Sequence, residues 1–282
     1  MIYFIGAGPG DVELITVKGK NLMGICDVII YTGSLINHEI LRYAKNEAKT
    51  FDSSCLHLEE IIEIMKKAQE TGLDVARLHT GDPTIYSAIR EQMEKLDEIG
   101  LPYEVIPGVS SLAAAAAVLK KELTVPGVSQ TIIITRVGGR TPIPAEENLE
   151  FLAERGATMA IFLSVDRIEK IATDLAKSYG PDMPAAVVYK ATWPEQRVVI
   201  GTLRNIAEKT KGQAIDRTAL VLVGNFLDGK FEFSRLYHPD FSHGFRGGIE
   251  KKDGSEIKGK PGHTAKTERG EKKRMPYYRE EG

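Results

Sequence analysis

The sequence predicts an α/β protein of two α/β domains with a cleft between them, the first sheet mainly parallel and the second mixed. Three observations carry this. Short apolar runs ending at turns alternate with amphipathic segments from the first residues onward, and the alternation restarts after LTVPGVSQ (123–130). In the second half, VVIGTL (198–203) and ALVLVG (219–224) interleave less cleanly with helices, as in a sheet with antiparallel pairs. With 282 residues, 42% of them hydrophobic, the chain can fill such cores.

The elements follow in order. IYFI (2–5) reads as a strand stopped by Gly6, Gly8 and Gly10, followed by a helical segment over 14–25 and a buried strand DVIIY (27–31). HLEEIIEIMKKAQET (57–71) places Leu58, Ile61, Ile62 and Met65 at helical spacing, with Gly72 as its stop. VARLH (75–79) is a strand, the Gly-Asp-Pro corner at 81–83 opens a helix running to Ile99, and YEVI (103–106) is the fourth strand. Alanine-rich SSLAAAAAVLKK (110–121) favours a close-packed helix. The second unit then reads TIIITR (131–136), a helix near 146–155, TMAIFLS (158–164), a helix over 166–179, PAAVVYKA (184–191), VVIGTL, a short helix and ALVLVGNF (219–226).

The expected domains are 1–112, a connecting helix and linker over 113–126, and 127–240, with a charged tail over 241–282. The tail is expected to be disordered: from Arg246 onward Gly, Lys, Arg and Glu dominate, with 11 basic against 7 acidic residues. That leaves 26 basic against 32 acidic residues in the body, within a formal net charge of -2, so no field draws nucleic acid or an anionic membrane. No stretch approaches the ~20 apolar residues of a membrane span. Two isolated cysteines, Cys26 and Cys55, exclude a disulfide framework, and the start MIYFIGAGPG lacks the basic opening of a signal peptide, so a cytoplasmic location is expected. The six histidines show no metal-ligand spacing, and no protein-held metal is expected.

GAGPGD (6–11) invites a dinucleotide reading, because a glycine turn after a first strand can offer backbone N–H groups to a pyrophosphate. The fingerprint fails at its third glycine, where Asp11 stands, and no acidic residue ends the second strand. Asp11 and Asp82 both sit at strand-to-helix corners, the crevice position of α/β sheets. A carboxylate there repels phosphate and favours a cationic, hydroxyl-bearing molecule such as S-adenosylmethionine. Each has a second reading as a helix cap, and Asp82-Pro83 has the form of an N-cap followed by proline at the first helical position. Tyr86 reads equally as a core aromatic.

With these residues assembled, the chain resembles the tetrapyrrole methyltransferases, a two-domain α/β family that methylates macrocycles in sirohaem and cobalamin synthesis. The resemblance spans about residues 1–235, through GAGPGD, TGDP (80–83) and PGVSS (107–111). YTGSLIN (31–37), HTGDPTIYSAIREQM (79–93), LTVPGVSQTIIITRVGGRTPIP (123–144) and IFLS (161–164) most resemble the branch acting at C11 of precorrin-4 or cobalt-precorrin-4. Leu163, where related uroporphyrinogen methyltransferases carry methionine, and Thr32, where they carry aspartate, argue against that sister activity.

The resemblance implies an S-adenosyl-L-methionine-dependent C-methyltransferase of cobalamin biosynthesis, releasing S-adenosyl-L-homocysteine and working as a homodimer on a tetrapyrrole substrate. The alternatives are a methyltransferase acting at another position of a precorrin or of uroporphyrinogen III, and a non-catalytic cofactor-binding protein. It implies a cofactor cleft touched by Pro9, Gly81, Asp82, Ile85, Tyr86, Ser110 and Ser111 from the first domain. From the second it implies Phe162, Leu163, Tyr189, Lys190, Ala191, Thr218 and Ala219. In-line methyl transfer needs position above all, and no catalytic base is assigned. Arg136 and Arg140 are candidate anchors for substrate carboxylates, or exposed loop arginines. Ser34 and Asn37 either hydrogen-bond the macrocycle or cap the next helix.

Overall fold

The structure is a computed structural model. It describes residues 1–258 apart from Arg140, Lys230, Arg235, Tyr237, His243, Phe245, Gly247, Gly248, Asp253 and Gly254. Met1–Glu232 make one compact unit containing two five-stranded sheets.

The first sheet has the order β3-β2-β4-β1-β5, formed by β1 (Ile2–Gly6), β2 (Val28–Tyr31), β3 (Lys49–Asp52), β4 (Val75–His79) and β5 (Tyr103–Ile106). Every neighbouring pair is parallel. Such a sheet needs cover on both faces. On one, Ile5, Ile29, Ala76 and Leu78 pack with Met23 of α1 (Val17–Met23). On the other, Ile2, Phe4, Ile30 and Val75 meet Ile61 and Met65 of α2 (Leu58–Glu70) and Leu96 of α3 (Ile89–Glu98). Parallel strands put their C-terminal ends on one edge, so the loops after β1, β4 and β5 are neighbours. That edge carries the candidate residues of the first domain.

The second sheet has the order β6-β7-β10-β8-β9 and is mixed. Its strands are β6 (Ile132–Arg136), β7 (Thr158–Phe162), β8 (Pro184–Tyr189), β9 (Arg197–Thr202) and β10 (Ala219–Val223). The β6–β7 pair is parallel and the other three pairs are antiparallel. One face is covered by α5 (Leu149–Ala153), α6 (Ile168–Tyr179) and α7 (Ile206–Gly212). The other takes α4 (Ser111–Leu119), whose Ala114 and Ala115 pack with Ala160, Ala186 and Leu222; small side chains on both surfaces allow a close approach. The helix that leaves the last strand of the first sheet therefore belongs to the core of the second.

Three elements differ from the sequence reading. Strand β3 was not predicted, because KTFD is a short edge strand with mostly exposed residues. The helix expected from Asp82 onward starts only at Ile89, after a turn, with Ala88 left-handed at φ 50°. The helix expected over 14–25 is confined to α1, because Thr16 Oγ1 caps it by accepting from Gly19 N at 3.1 Å. Phe233–Gly282 form a separate unit. Much of the tail expected to be disordered lies outside the described residues, but within it Ile249–Lys252 and Ser255–Lys258 pair as an antiparallel hairpin.

Candidate functional site

Three loops interlock at the C-terminal edge of the first sheet. Gly8 and Gly81 form an antiparallel bridge, with Gly81 N–H donating to Gly8 O at 2.8 Å, and Ala7 N–H donates to His79 O at 2.8 Å. A methyl on Gly6 would stand 2.5 Å from Gly108 Cα, so the β1 and β5 loops touch backbone to backbone. Asp82 staples the third loop to them. Its Oδ2 accepts from Gly108 N at 2.9 Å, and its Oδ1 accepts from Thr84 N at 2.8 Å and Thr84 Oγ1 at 2.5 Å. Burial disfavours the ionised form, but these hydrogen bonds outweigh it and hold the carboxyl below the usual aspartate range. Asp82 thus caps a turn and ties down Gly108, and it is not the N-cap of α3. Asp11 is a local cap too, its Oδ1 accepting from Glu13 N at 2.9 Å.

The turn that follows carries Ile85 and presents Tyr86 to the second sheet. The Tyr86 ring lies 5.4 Å from that of Phe162, at the end of β7. Burial raises the Tyr86 pKa, Arg136 opposes the shift and Glu147 adds to it. Next to Phe162, Leu163 is 67% exposed, and Tyr86 is 43% exposed. Ser164 is buried beneath them, its hydroxyl joining Phe162 O at 2.6 Å to Val137 N at 2.8 Å. Tyr189 pairs with Ala219 across β8 and β10, and Lys190 N–H donates to Thr218 O at 3.0 Å. Four candidates from four different loops have left-handed backbones without being glycine: Tyr86 (φ 54°), Leu163 (52°), Lys190 (44°) and Thr218 (51°). Such residues gather where a site imposes its own geometry.

The remaining candidates fall nearby. Ser110 Oγ accepts from Leu112 N at 3.2 Å as the N-cap of α4, and a methyl on Gly81 would lie 3.6 Å from Ser111 N. Asn37 is engaged at both ends of its amide: Oδ1 accepts from Glu39 N at 3.1 Å and Nδ2 donates to Gly10 O at 3.1 Å. Its capping reading is the one the geometry favours. Ser34 is exposed on the same loop. Arg136 is the register partner of Phe162 across β6 and β7, and its guanidinium donates to Thr141 O at 3.0 Å and Pro142 O at 2.9 Å, closing its own loop. Arg140 lies outside the described residues. Arg167, which sequence reasoning passed over, donates to Gly138 O from below that loop.

Two further residues were missed. Trp193 Nε1–H donates to Pro9 O at 2.9 Å, and Thr192 Oγ1 accepts from Asp11 N at 3.0 Å, joining the β8–β9 loop to the first glycine turn. The available signal was the chain's single tryptophan, two residues beyond VVYKA. Among the described residues no group of three His, Cys, Asp or Glu is placed to hold a metal ion, and no helix is long and apolar enough to cross a membrane.

The family described as Tetrapyrrole (Corrin/Porphyrin) Methylases matches residues 1–207. The chain belongs to the tetrapyrrole methylase family. Among its tetrapyrrole methylase relatives, a cobalt-precorrin-4 C(11)-methyltransferase of Methanocaldococcus jannaschii is 51% identical over 87% of this chain and 95% of its own. A precorrin-4 C(11)-methyltransferase of Pseudomonas aeruginosa is 47% identical over 88% and 99%. Among solved structures, a cobalt precorrin-4 methyltransferase superposes with a TM-score of 0.79 at 41% identity, covering 80% of this chain and 95% of that one. A uroporphyrin-III C-methyl transferase from Thermus thermophilus, complexed with S-adenyl homocysteine, superposes with a TM-score of 0.67 at 28% identity, covering 80% and 93%. One parallel and one mixed sheet are thus the architecture of a tetrapyrrole methylase.

Proposed function

We propose that the chain is an S-adenosyl-L-methionine-dependent C-methyltransferase acting at C11 of precorrin-4 or cobalt-precorrin-4 in cobalamin biosynthesis. The observation that carries this is identity of about half across nearly the whole length of relatives with that activity. The site fits the cofactor. Tyr86 and Leu163 leave apolar surface in water at the meeting of the two sheets, which suits a purine or a thioether chain.

The cofactor supplies an electrophilic methyl group on its sulfonium. The chain's own contribution is position. Pro9, Gly81, Asp82, Ile85, Tyr86, Ser110 and Ser111 would form one wall, and Phe162, Leu163, Tyr189, Lys190, Ala191, Thr218 and Ala219 the other. Their interlocked backbones hold both walls without rearrangement, which is what in-line displacement asks of an enzyme. Arg136 stands beside Tyr86 with N–H groups to spare, and with Arg140 it is our assignment for the substrate's carboxylates; Ser34 would add a hydrogen bond. Any cobalt arrives with the macrocycle.

Incubation with S-adenosylmethionine and either ring, followed by mass spectrometry and NMR, should give one added methyl at C11. A methyl elsewhere, or none on either ring, overturns the reading. We extend it to a cytoplasmic homodimer, for which sedimentation at twice the chain mass is the expected result.

A further inference from the structure

Gly10 lacks the usual reason for a glycine, since its φ is not positive. What requires it is Trp193. A methyl on Gly10 would overlap Cδ1 of the indole, whose Nε1–H bonds Pro9 O at 2.9 Å. The third glycine of GAGPG is thus a seat for a side chain from the other sheet, 184 positions from Pro9.

The indole is itself fixed from behind. Lys190 Nζ lies 4.8 Å from its ring centroid and 3.5 Å from Glu195 Oε1. Trp193 N–H donates to Lys190 O at 3.0 Å and Thr192 N–H to Gln196 Oε1 at 2.8 Å, closing the loop on itself. Thr192 is left-handed at φ 69°, an unfavourable conformation for a β-branched residue, and its hydroxyl accepts from Asp11 N at 3.0 Å. A segment so constrained fixes whatever it is bonded to. Here that is the Pro9–Asp11 turn on one side and the Tyr189–Ala191 stretch on the other.

We propose that Trp193 is a positioning residue for the cofactor: its indole, seated on Gly10 and Pro9, locks two pocket walls that belong to different sheets into one spacing. This rests on the methyltransferase reading. Trp193 does not transfer the methyl group; it sets where Pro9 and Lys190 stand.

As the only tryptophan, Trp193 reports on its own site. Its emission should change when S-adenosylhomocysteine is added to the wild type. By calorimetry, Trp193→Phe, which keeps a ring but loses the N–H donor, should bind S-adenosylhomocysteine about tenfold more weakly, the factor expected from one lost hydrogen bond. Its melting temperature should fall by only about 2–4 °C, and the Asp11 amide should exchange hydrogen faster. Gly10→Ala should weaken binding as Trp193→Ala does, and add nothing in the Trp193→Ala background, where the space is vacant. A wild type that does not bind S-adenosylhomocysteine overturns the function itself. If the wild type binds but Trp193→Phe binds equally well, or if the Gly10 and Trp193 losses add, the role of Trp193 alone is overturned.

Discussion

Asp82 spends both carboxylate oxygens on its own protein, accepting from Thr84 and from Gly108. Its effect on a ligand therefore runs through the loop it holds. Asp82→Asn should lower unfolding free energy by about 1–3 kcal/mol at neutral pH, measured in urea, because the charged acceptor is lost. The folded pKa is depressed, so the ionised group's contribution is complete above the unfolded value of 3.8 and disappears as pH falls through the lower folded value. The variant should accordingly lose less stability than the wild type on acidification below about pH 4. His79, 5% exposed with Nε2 unpartnered, shifts stability in the same direction although the form favoured is the neutral one: burial, then the nearby Arg77, pushes its pKa down to about 3 from 6.5. Between those values only the unfolded chain takes the proton, so stability falls with falling pH by up to about 1.4 kcal/mol per unit. Urea midpoints of His79→Leu across that range should show a flatter dependence.

At the scale of elements, the interlock of the β1, β4 and β5 loops leaves no room for added side chains at Gly6 and Gly108. A methyl on Gly108 would overlap Gly81 O and come within 2.7 Å of Gly6 Cα, and backbone cannot swing aside as a side chain can. Gly108→Ala should cost about 3 kcal/mol or more in chemical denaturation, with loss of cofactor binding. The same elements show what the sequence could disclose. Strands such as VARLH and YEVI were legible because period and turn residues lie within a few positions of each other. Asp82-Pro83 looked like a helix start because capping chemistry is local, whereas its partner Gly108 is 26 positions away. Trp193 and Thr192 were illegible for the same reason, their partners Pro9 and Asp11 being brought near only by the fold. Strand β3 had too little apolar content to register.

For the molecule as a whole, the proposed pocket, drawing its walls from both sheets, would couple ligand binding to the integrity of the entire Met1–Glu232 unit. S-adenosylhomocysteine at a hundred times its dissociation constant should stabilise the fold by about 2.7 kcal/mol, visible as a raised melting temperature, while NAD or ATP should give no shift. The four left-handed residues around that pocket carry a further consequence, for engineering. Each holds a conformation that glycine adopts freely and an L side chain resists, by about 1–3 kcal/mol. Thr218→Gly should therefore recover part of that energy and survive heating better, yet turn over more slowly, because the wall it helps define would lose its imposed shape. A screen for thermal tolerance alone would select such changes and, by relaxing the pocket, breed a hardier protein that is a poorer methyltransferase.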